Sequence, residues 1–209
     1  HSFPTRRSSD LSGRLSADGT RLEAFTTHWQ GEGVGGGRHF GSRVVEGVDG
    51  TIFVTTGDRG SLRHLVQKTD NHIGKIIRIT EDGGIPPDNP KLEGWLPEIW
   101  SIGHRNMQGI AFSPTGHLFA SEQGPKTDDE INILSAGGNY GWPHVAGFVD
   151  DSAYVYARWA ESAPTPCADL TFSDLEIPAG IPTEKETDWD APDNYTPPIG
   201  TMFTVPSDW

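Results

Sequence analysis

The residues most able to do chemistry lie in one stretch, Ser121-Glu-Gln-Gly-Pro-Lys-Thr-Asp-Asp-Glu-Ile-Asn132, followed closely by Gly137-Gly-Asn-Tyr-Gly-Trp-Pro143. Four acids and a carboxamide (Glu122, Gln123, Asp128, Asp129, Glu130) surround a Gly-Pro turn. A turn that presents carboxylates and backbone carbonyls together suits a hard cation such as calcium, which binds through oxygen. The plain alternative is a solvated acidic loop. Within this stretch, Gly124 and Pro125 can aim two successive carbonyl oxygens at one point, with Gln123 beside them. A second set, Glu130, the Tyr140 and Ala146 carbonyls, Asp150 and Glu186, could hold a separate metal, or could be ordinary surface acids and turn backbone.

Two further segments carry candidate polar chemistry. In Gly35-Gly-Gly-Arg-His-Phe-Gly-Ser-Arg43, the glycines let backbone approach a ligand closely, and His39 stands just before a β-like run. Histidine titrates near neutrality, so His39 could act as a general base or simply be a hydrogen-bonded structural residue. In Ile102-Gly-His-Arg-Asn-Met-Gln-Gly109, Arg105 is a forked donor suited to carboxylates, Asn106 both donates and accepts, and His104 reads as a core histidine. Other signals are weak. The glycines at 31–37 lack the strand–helix unit of a dinucleotide site, and the eight histidines show no zinc-type spacing. Cys167, the single cysteine, lies in a loop-like Pro-Thr-Pro-Cys-Ala context and reads as incidental.

These groups must be positioned by short elements. Arg43–Val45, Thr51–Thr56, Lys75–Ile79, Gly109–Phe112 and His117–Ala120 have the length and β-branched or aromatic content of strands, bounded by Gly, Pro, Asp and Asn. Helical periodicity is weak and confined to 155–163 and 183–189. One internal repeat is visible: 43–57 aligns with 109–123, with Val44 over Ile110, Gly50 over Gly116 and Phe53 over Phe119, an offset of 66 residues. A hairpin recurring in this way suits an all-β fold, a partial six-bladed β-propeller with about three blades present.

Composition narrows the partners. The net charge of −13 opposes a nucleic-acid partner, and no apolar run reaches the ~20 residues of a membrane helix. The opening eleven residues, His1 to Leu11, read as the translation of a sequencing adapter. The expectation is therefore a non-native segment over 1–11 and an incomplete propeller domain over 12–209, cut from a longer gene. Without 1–11 the chain loses two arginines and one aspartate and carries −14.

Taken together, His39-Phe-Gly-Ser-Arg43, Thr56-Gly-Asp58, Gly74-Lys75, Gly84-Ile-Pro86, Asp88-Asn-Pro90, Gly103-His-Arg-Asn106, Ser121–Pro125, Asp128–Asn132, Gly137–Pro143 and Ala179-Gly-Ile-Pro182 resemble the soluble PQQ-dependent aldose (glucose) dehydrogenases and the glucose/sorbosone dehydrogenase family. The resemblance implies a six-bladed propeller with the quinone in its central depression. It implies oxidation of an aldose at the anomeric carbon to the lactone by hydride transfer to PQQ. In that scheme His39 is the base, Arg105 and Asn106 reach the quinone, and Gln123 contacts the cofactor. The Gly124 and Pro125 carbonyls bind its calcium, while Glu130, Tyr140, Ala146, Asp150 and Glu186 fall where a second, structural calcium sits. It also implies a periplasmic or secreted location. The electron acceptor and oligomeric state stay open, a homodimer being one option. One departure stands out: the family's carboxylate before the base is Arg38 here, so His39 needs another orienting partner. The resemblance places further cofactor contacts outside this chain, which implies weak cofactor binding by the chain alone. The alternatives are a calcium-dependent lactonase-type hydrolase and a non-catalytic sugar-binding propeller.

Overall fold

The computed structural model describes residues 9–33, 37–152, 154–158 and 177–202; Cys167 lies outside them. Among the described residues the elements are strands, joined by two single 3-10 turns at Arg63–Leu65 and Glu186–Asp188. The first four-stranded sheet is antiparallel and in sequence order: β3 (Val44–Glu46), β4 (Ile52–Thr55), β5 (Lys75–Ile79) and β6 (Ile99–Ile102). The second contains β7 (Met107–Phe112), β8 (Leu118–Glu122), β9 (Asp129–Leu134) and β12 (Gly200–Met202), also antiparallel. Two-stranded sheets join β1 (Ser9–Leu15) to β2 (Leu22–Gln30), and β10 (Tyr156–Ala157) to β11 (Thr183–Glu184). β1 begins inside the segment read as adapter-derived. Among the described residues the weak helical patterns do not become helices: 156–157 and 183–184 are strand, and 186–188 is one 3-10 turn, while 159–163 lie outside the described residues. Pairing of β10 with β11 satisfies backbone that an isolated short helix could not hold.

The 66-residue repeat is a repeat of register. Val44 pairs with Val54 and Glu46 with Ile52; Ile110 pairs with Ala120 and Phe112 with Leu118, each partner displaced by the same offset. Both turns end on a left-handed glycine, Gly50 (φ 78°) and Gly116 (φ 85°). Each copy therefore opens a four-stranded sheet.

Strand alternation distributes the core. Phe53 and Ile76 on one face of the first sheet pack with Met107, Leu118, Ala120, Leu134 and Tyr140 of the second sheet and its following turn. Val54 and Ile77 on the other face join Trp29 of β2 with Ile79, Ile99 and Ile102. Burial on both faces explains why Ile76-Ile-Arg-Ile79 lacks polar alternation, since a sheet covered on both sides does not need it; the one charge, Arg78, is buried and paired with Asp49 and Asp88. Lys75 is wholly buried, and its ammonium donates to the Val66 and Ile73 carbonyls at 2.7 and 2.6 Å. A third cluster, Val66, Ile73, Trp142, Ala146, Tyr154 and Tyr156, lies under the long connection from β4 to β5.

The antiparallel order brings the segment before β3 and the connections β4–β5, β6–β7 and β8–β9 out at one end of the two sheets. Backbone hydrogen bonds lace that end together: Asp58 N–H to the Arg105 carbonyl at 2.9 Å, Gly74 N–H to Gly57 at 3.3 Å, His104 N–H to Gly74 at 3.2 Å, and Gln123 N–H to Asn106 at 3.3 Å.

Candidate active site

His39 stands at this end with a left-handed backbone (φ 56°), rare for a side chain of its size, and Arg59 holds it there. The Arg59 N–H and guanidinium both donate to the His39 carbonyl, at 3.3 and 3.1 Å. Its ring Nδ1 lies 2.6 Å from Asp58 Oδ1. Asp58 is fully buried; its Oδ1 also accepts the Gly60 N–H at 2.7 Å and its Oδ2 the Trp142 indole N–H at 3.0 Å. Burial alone would raise the Asp58 carboxyl. The bond and charge of His39, the Gly60 N–H and the Arg105 guanidinium outweigh it, and the carboxyl stays below its ordinary range. An ionised Asp58 assigns the proton to Nδ1 and leaves Nε2 as the basic nitrogen.

Arg105 and Asn106 are set by a second carboxylate. Glu122, buried at the end of β8, accepts the backbone N–H of Arg105 through Oε1, together with that of Asn106 at 3.2 Å. His104 Nδ1 lies 3.2 Å from Glu122 Oε2, and His104 Nε2 lies 2.8 Å from Ser101 Oγ. His104 is fully buried and stacks on Tyr140, a core histidine as expected. The Arg105 guanidinium then donates to the Gln123 carbonyl at 3.0 Å and lies over the Trp142 ring, 5.2 Å from its centroid. Asn106 donates to Gln123 Oε1 at 3.1 Å, and its own Oδ1 accepts from Gly41 N–H at 3.2 Å and Gln108 at 3.0 Å. His39, Arg105, Asn106 and Gln123 are thus drawn together, with Asp58 and Trp142 linking His39 to Arg105.

The calcium candidates divide. Gly124 and Pro125 lie in the β8–β9 connection next to Gln123; the Gly124 carbonyl accepts Lys126 N–H at 3.0 Å and its N–H donates to Asp129 at 2.9 Å. A side chain at Gly124 would run into the Thr127 carbonyl, so the turn demands glycine. Neutral carbonyl oxygens there, beside amide and guanidinium donors, fit a calcium-bound, carboxylated quinone by donor chemistry. The four acids of the opening stretch do not gather as one ligand set. Glu122 serves the Arg105 loop, Asp128 accepts from Thr127, Asp129 caps Gly124, and Glu130 accepts Gly147 N–H at 2.7 Å and Asn132 at 3.0 Å. Half of that stretch is strand, and alternation turns successive side chains to opposite faces.

Of the second set, Glu130 and Glu186 are buried on neighbouring backbone: Glu186 accepts from Ala146 N–H at 2.9 Å, and Glu130 from the next residue, Gly147. Burial, with the Glu122 and Asp128 charges, pushes the Glu130 carboxyl up to about 8, and burial likewise raises Glu186. Tyr195, its hydroxyl buried, is raised to about 12 by burial and by these two carboxylates. Asp150 is exposed; its N–H donates to Glu186 at 3.2 Å while its carboxylate caps Ser152 N–H at 2.7 Å. Among the described residues no three His, Cys, Asp or Glu side chains form a metal-binding group.

The residues missed by local sequence reasoning are Asp58 and Trp142, 84 positions apart, and Glu122 in its role as organiser. Asp58 follows β4 in the polar loop that the repeat marks out, which was the signal available.

Comparison with known proteins gives one answer. The Glucose / Sorbosone dehydrogenase family model matches residues 6–166. Quinoprotein glucose dehydrogenase B of Acinetobacter calcoaceticus is 43% identical over 185 residues, 80% of this chain and 38% of that protein. A solved glucose dehydrogenase superposes with a TM-score of 0.67 at 31% identity over 92% of this chain and 47% of its own. The PQQ-bound aldose sugar dehydrogenase of Streptomyces coelicolor superposes with a TM-score of 0.55 at 40% identity, over 62% of this chain and 37% of its own. The chain spans 37–47% of the length of these relatives.

Proposed function

The chain belongs to the glucose/sorbosone dehydrogenase family, and on that premise we propose that it forms part of a six-bladed, PQQ-dependent aldose dehydrogenase. That protein oxidises an aldose at the anomeric carbon to the lactone, in the periplasm or outside the cell. The observation that carries this reading is the Asp58–His39 pair set against Arg105, Asn106 and Gln123. His39 Nε2 takes the anomeric hydroxyl proton, and Asp58 stabilises the imidazolium that forms. Arg105, fixed on Trp142 and Gln123, presents a permanent cation where negative charge develops. Asn106 and Gln123 orient the cofactor, and the Gly124 and Pro125 carbonyls hold its calcium. When bound, the quinone supplies the two-electron acceptor and calcium the Lewis acid. A structural calcium, if bound, would draw on Glu130 and Glu186, with the Tyr140 and Ala146 carbonyls and Asp150, in place of the backbone N–H groups that the two glutamates accept.

A hydrolase of the lactonase type would set acids directly around a catalytic metal; here the two acids nearest His39 and Arg105, Asp58 and Glu122, are spent on backbone and on His39. The test is dye reduction by the purified full-length protein carrying this segment, with an aldose, adding quinone and calcium separately and together. Activity needing both, and falling about 10²–10⁴-fold in His39→Ala, is expected from the loss of a general base. Lactone hydrolysis without quinone would overturn the reading.

A further inference from the structure

Trp142 is built into the site from several sides. It stands in the turn after β9, buried, and its ring belongs to the cluster of Val66, Ile73, Ala146, Tyr154 and Tyr156. Its backbone N–H donates to the Gly103 carbonyl at 3.1 Å, two residues before Arg105. Its own carbonyl accepts from Gln67 Nε2 at 2.7 Å. Gln67 and Asn139 form a reciprocal amide pair: Gln67 Nε2 donates to Asn139 Oδ1 at 3.1 Å, and Asn139 Nδ2 donates to Gln67 Oε1 at 2.7 Å. Asn139 Oδ1 also accepts the Gly141 N–H at 3.0 Å. Gln67 lies in the connection from β4 to β5 that carries Asp58, so this pair ties that connection to the tryptophan's turn. The indole then serves two partners. Its N–H donates to Asp58 Oδ2 at 3.0 Å, and the Arg105 guanidinium lies over its ring, 5.2 Å from the centroid. Arg63 lies over Trp142 as well, at 5.4 Å.

We propose that Trp142 is a positioning residue that holds Asp58 and Arg105 in one frame, its indole N–H fixing the carboxylate that orients His39 and its ring face carrying the guanidinium. This rests on the dehydrogenase reading for the reaction served, and on the bonds of Trp142 alone for the frame. Oδ1 of Asp58 is pinned by His39 and by the Gly60 N–H. A carboxylate held at one oxygen can still turn; the bond to Oδ2 fixes its plane, and with it the direction from which it meets His39 Nδ1. Tryptophan suits this place because one rigid side chain joins a hydrogen-bond donor to a π face. Phenylalanine keeps the face and loses the donor, and leucine loses both, so the two functions of the indole are separable.

The test uses the full-length protein carrying this segment. By NMR without cofactor, one tryptophan indole N–H resonance is expected well downfield, and it should move upfield in Asp58→Asn, because a bond to a carboxylate is stronger than one to an amide. With quinone and calcium added, Trp142→Phe is expected to lower kcat for aldose oxidation about tenfold or more, the loss of one hydrogen bond to a charged group. KM for the aldose and quinone affinity should stay near the parent values. Trp142→Leu is expected to weaken quinone affinity as well, about threefold or more, since the face beneath Arg105 is lost. Parent-like kcat in Trp142→Phe overturns the proposal. So does an equal loss of kcat and quinone affinity in both variants, which would make Trp142 a packing residue only. An indole resonance indifferent to Asp58→Asn overturns it too, and that comparison decides the matter where a Trp142 variant fails to fold. Absence of quinone-dependent turnover in the parent, with the resonance still responding to Asp58→Asn, would remove the dehydrogenase reading and leave Trp142 as the holder of Asp58.

Discussion

Both four-stranded sheets start with the same hairpin, register for register, yet the residue after the second strand's core differs: Thr56 in the first, Glu122 in the second. Each is buried and each organises the connection on its own side. The Thr56 hydroxyl lies 2.5 Å from the His72 carbonyl and accepts Lys75 N–H at 2.8 Å, closing the loop that carries Asp58. Glu122 accepts two N–H groups of the loop that carries Arg105 and Asn106. One scaffold therefore serves two purposes: a hydroxyl organises the loop that carries Asp58, and a carboxyl group the loop that carries Arg105 and Asn106. The sheets differ in cover as well. β5 is buried throughout, whereas β7 and β12 are largely part-exposed, and Ile131 and Met202 of the second sheet are solvent-facing.

The largest effect is expected on the base's side. Asp58→Asn keeps the shape but removes the charge that fixes the Nδ1 proton and balances the imidazolium. We expect kcat for aldose oxidation to fall about 10²–10⁴-fold with quinone binding little changed. Unaltered turnover would show that Asp58 is a fold residue only.

Next comes the organiser pair. Glu122→Gln and Thr56→Val each leave a buried group short of a partner, and each should cost about 1–3 kcal/mol in denaturant unfolding. Their activities should separate. Glu122→Gln shifts Arg105 and Asn106 and should lower quinone affinity, while Thr56→Val should leave that affinity near the parent value. Equal loss of quinone affinity in both would erase the distinction between a carboxyl and a hydroxyl organiser.

The strands β3, β4, β5, β7 and β8 were legible because β-branched runs sit between turn residues, and the repeat was legible because Gly50 and Gly116 occupy the same turn position. β6 and β9 were not. Ile99–Ile102 is short and contains Trp and Ser, and Asp129–Leu134 looks like an acidic loop although its Glu130, Asn132 and Leu134 point inward. Among candidate site residues, His39, Arg105, Asn106 and Gln123 stand out in the sequence because they sit at strand ends in polar, glycine-marked segments. In the sequence Asp58 carries no visible role, and Trp142 belongs to a rigid turn. Their connection to the site runs across 84 positions of chain, which spacing along a sequence cannot express.

A smaller effect distinguishes the sheets by pH. His72, beside β5, lies 2.9 Å from Glu32 and 2.7 Å from Glu98, and packs edge-on to Trp29 of β2. Burial would lower its pKa, but the bonds and charges of the two glutamates outweigh it and raise it from 6.5 to about 9. The folded state thus holds this proton more tightly than the unfolded one. Its contribution is complete below about pH 6.5 and is lost as pH rises through about 9. Amide exchange of β2 and β6 should therefore accelerate over that range more than exchange of β9, after correction for the intrinsic pH dependence of exchange. In His72→Gln the extra acceleration should disappear. A uniform response of both sheets would mean that the pair does not hold β2 against the first sheet.

The smallest effect tests the part the two sheets share. A Cβ on Gly50 or on Gly116 would meet no atom within 4 Å, so the only cost of alanine there is the left-handed backbone. Each substitution should destabilise by about 1 kcal/mol, with no change in quinone or calcium binding. Because the hairpins share register and turn conformation, the two costs should agree closely even though the surrounding sheets are covered so differently. A cost at Gly50 well above that at Gly116 would mean that the better-packed sheet also constrains its turn, and that the repeat is one of register without being one of energetics. Gly57 offers the contrasting case. A Cβ there would collide with the His39 carbonyl, so alanine at that position should disturb the base as well as the backbone.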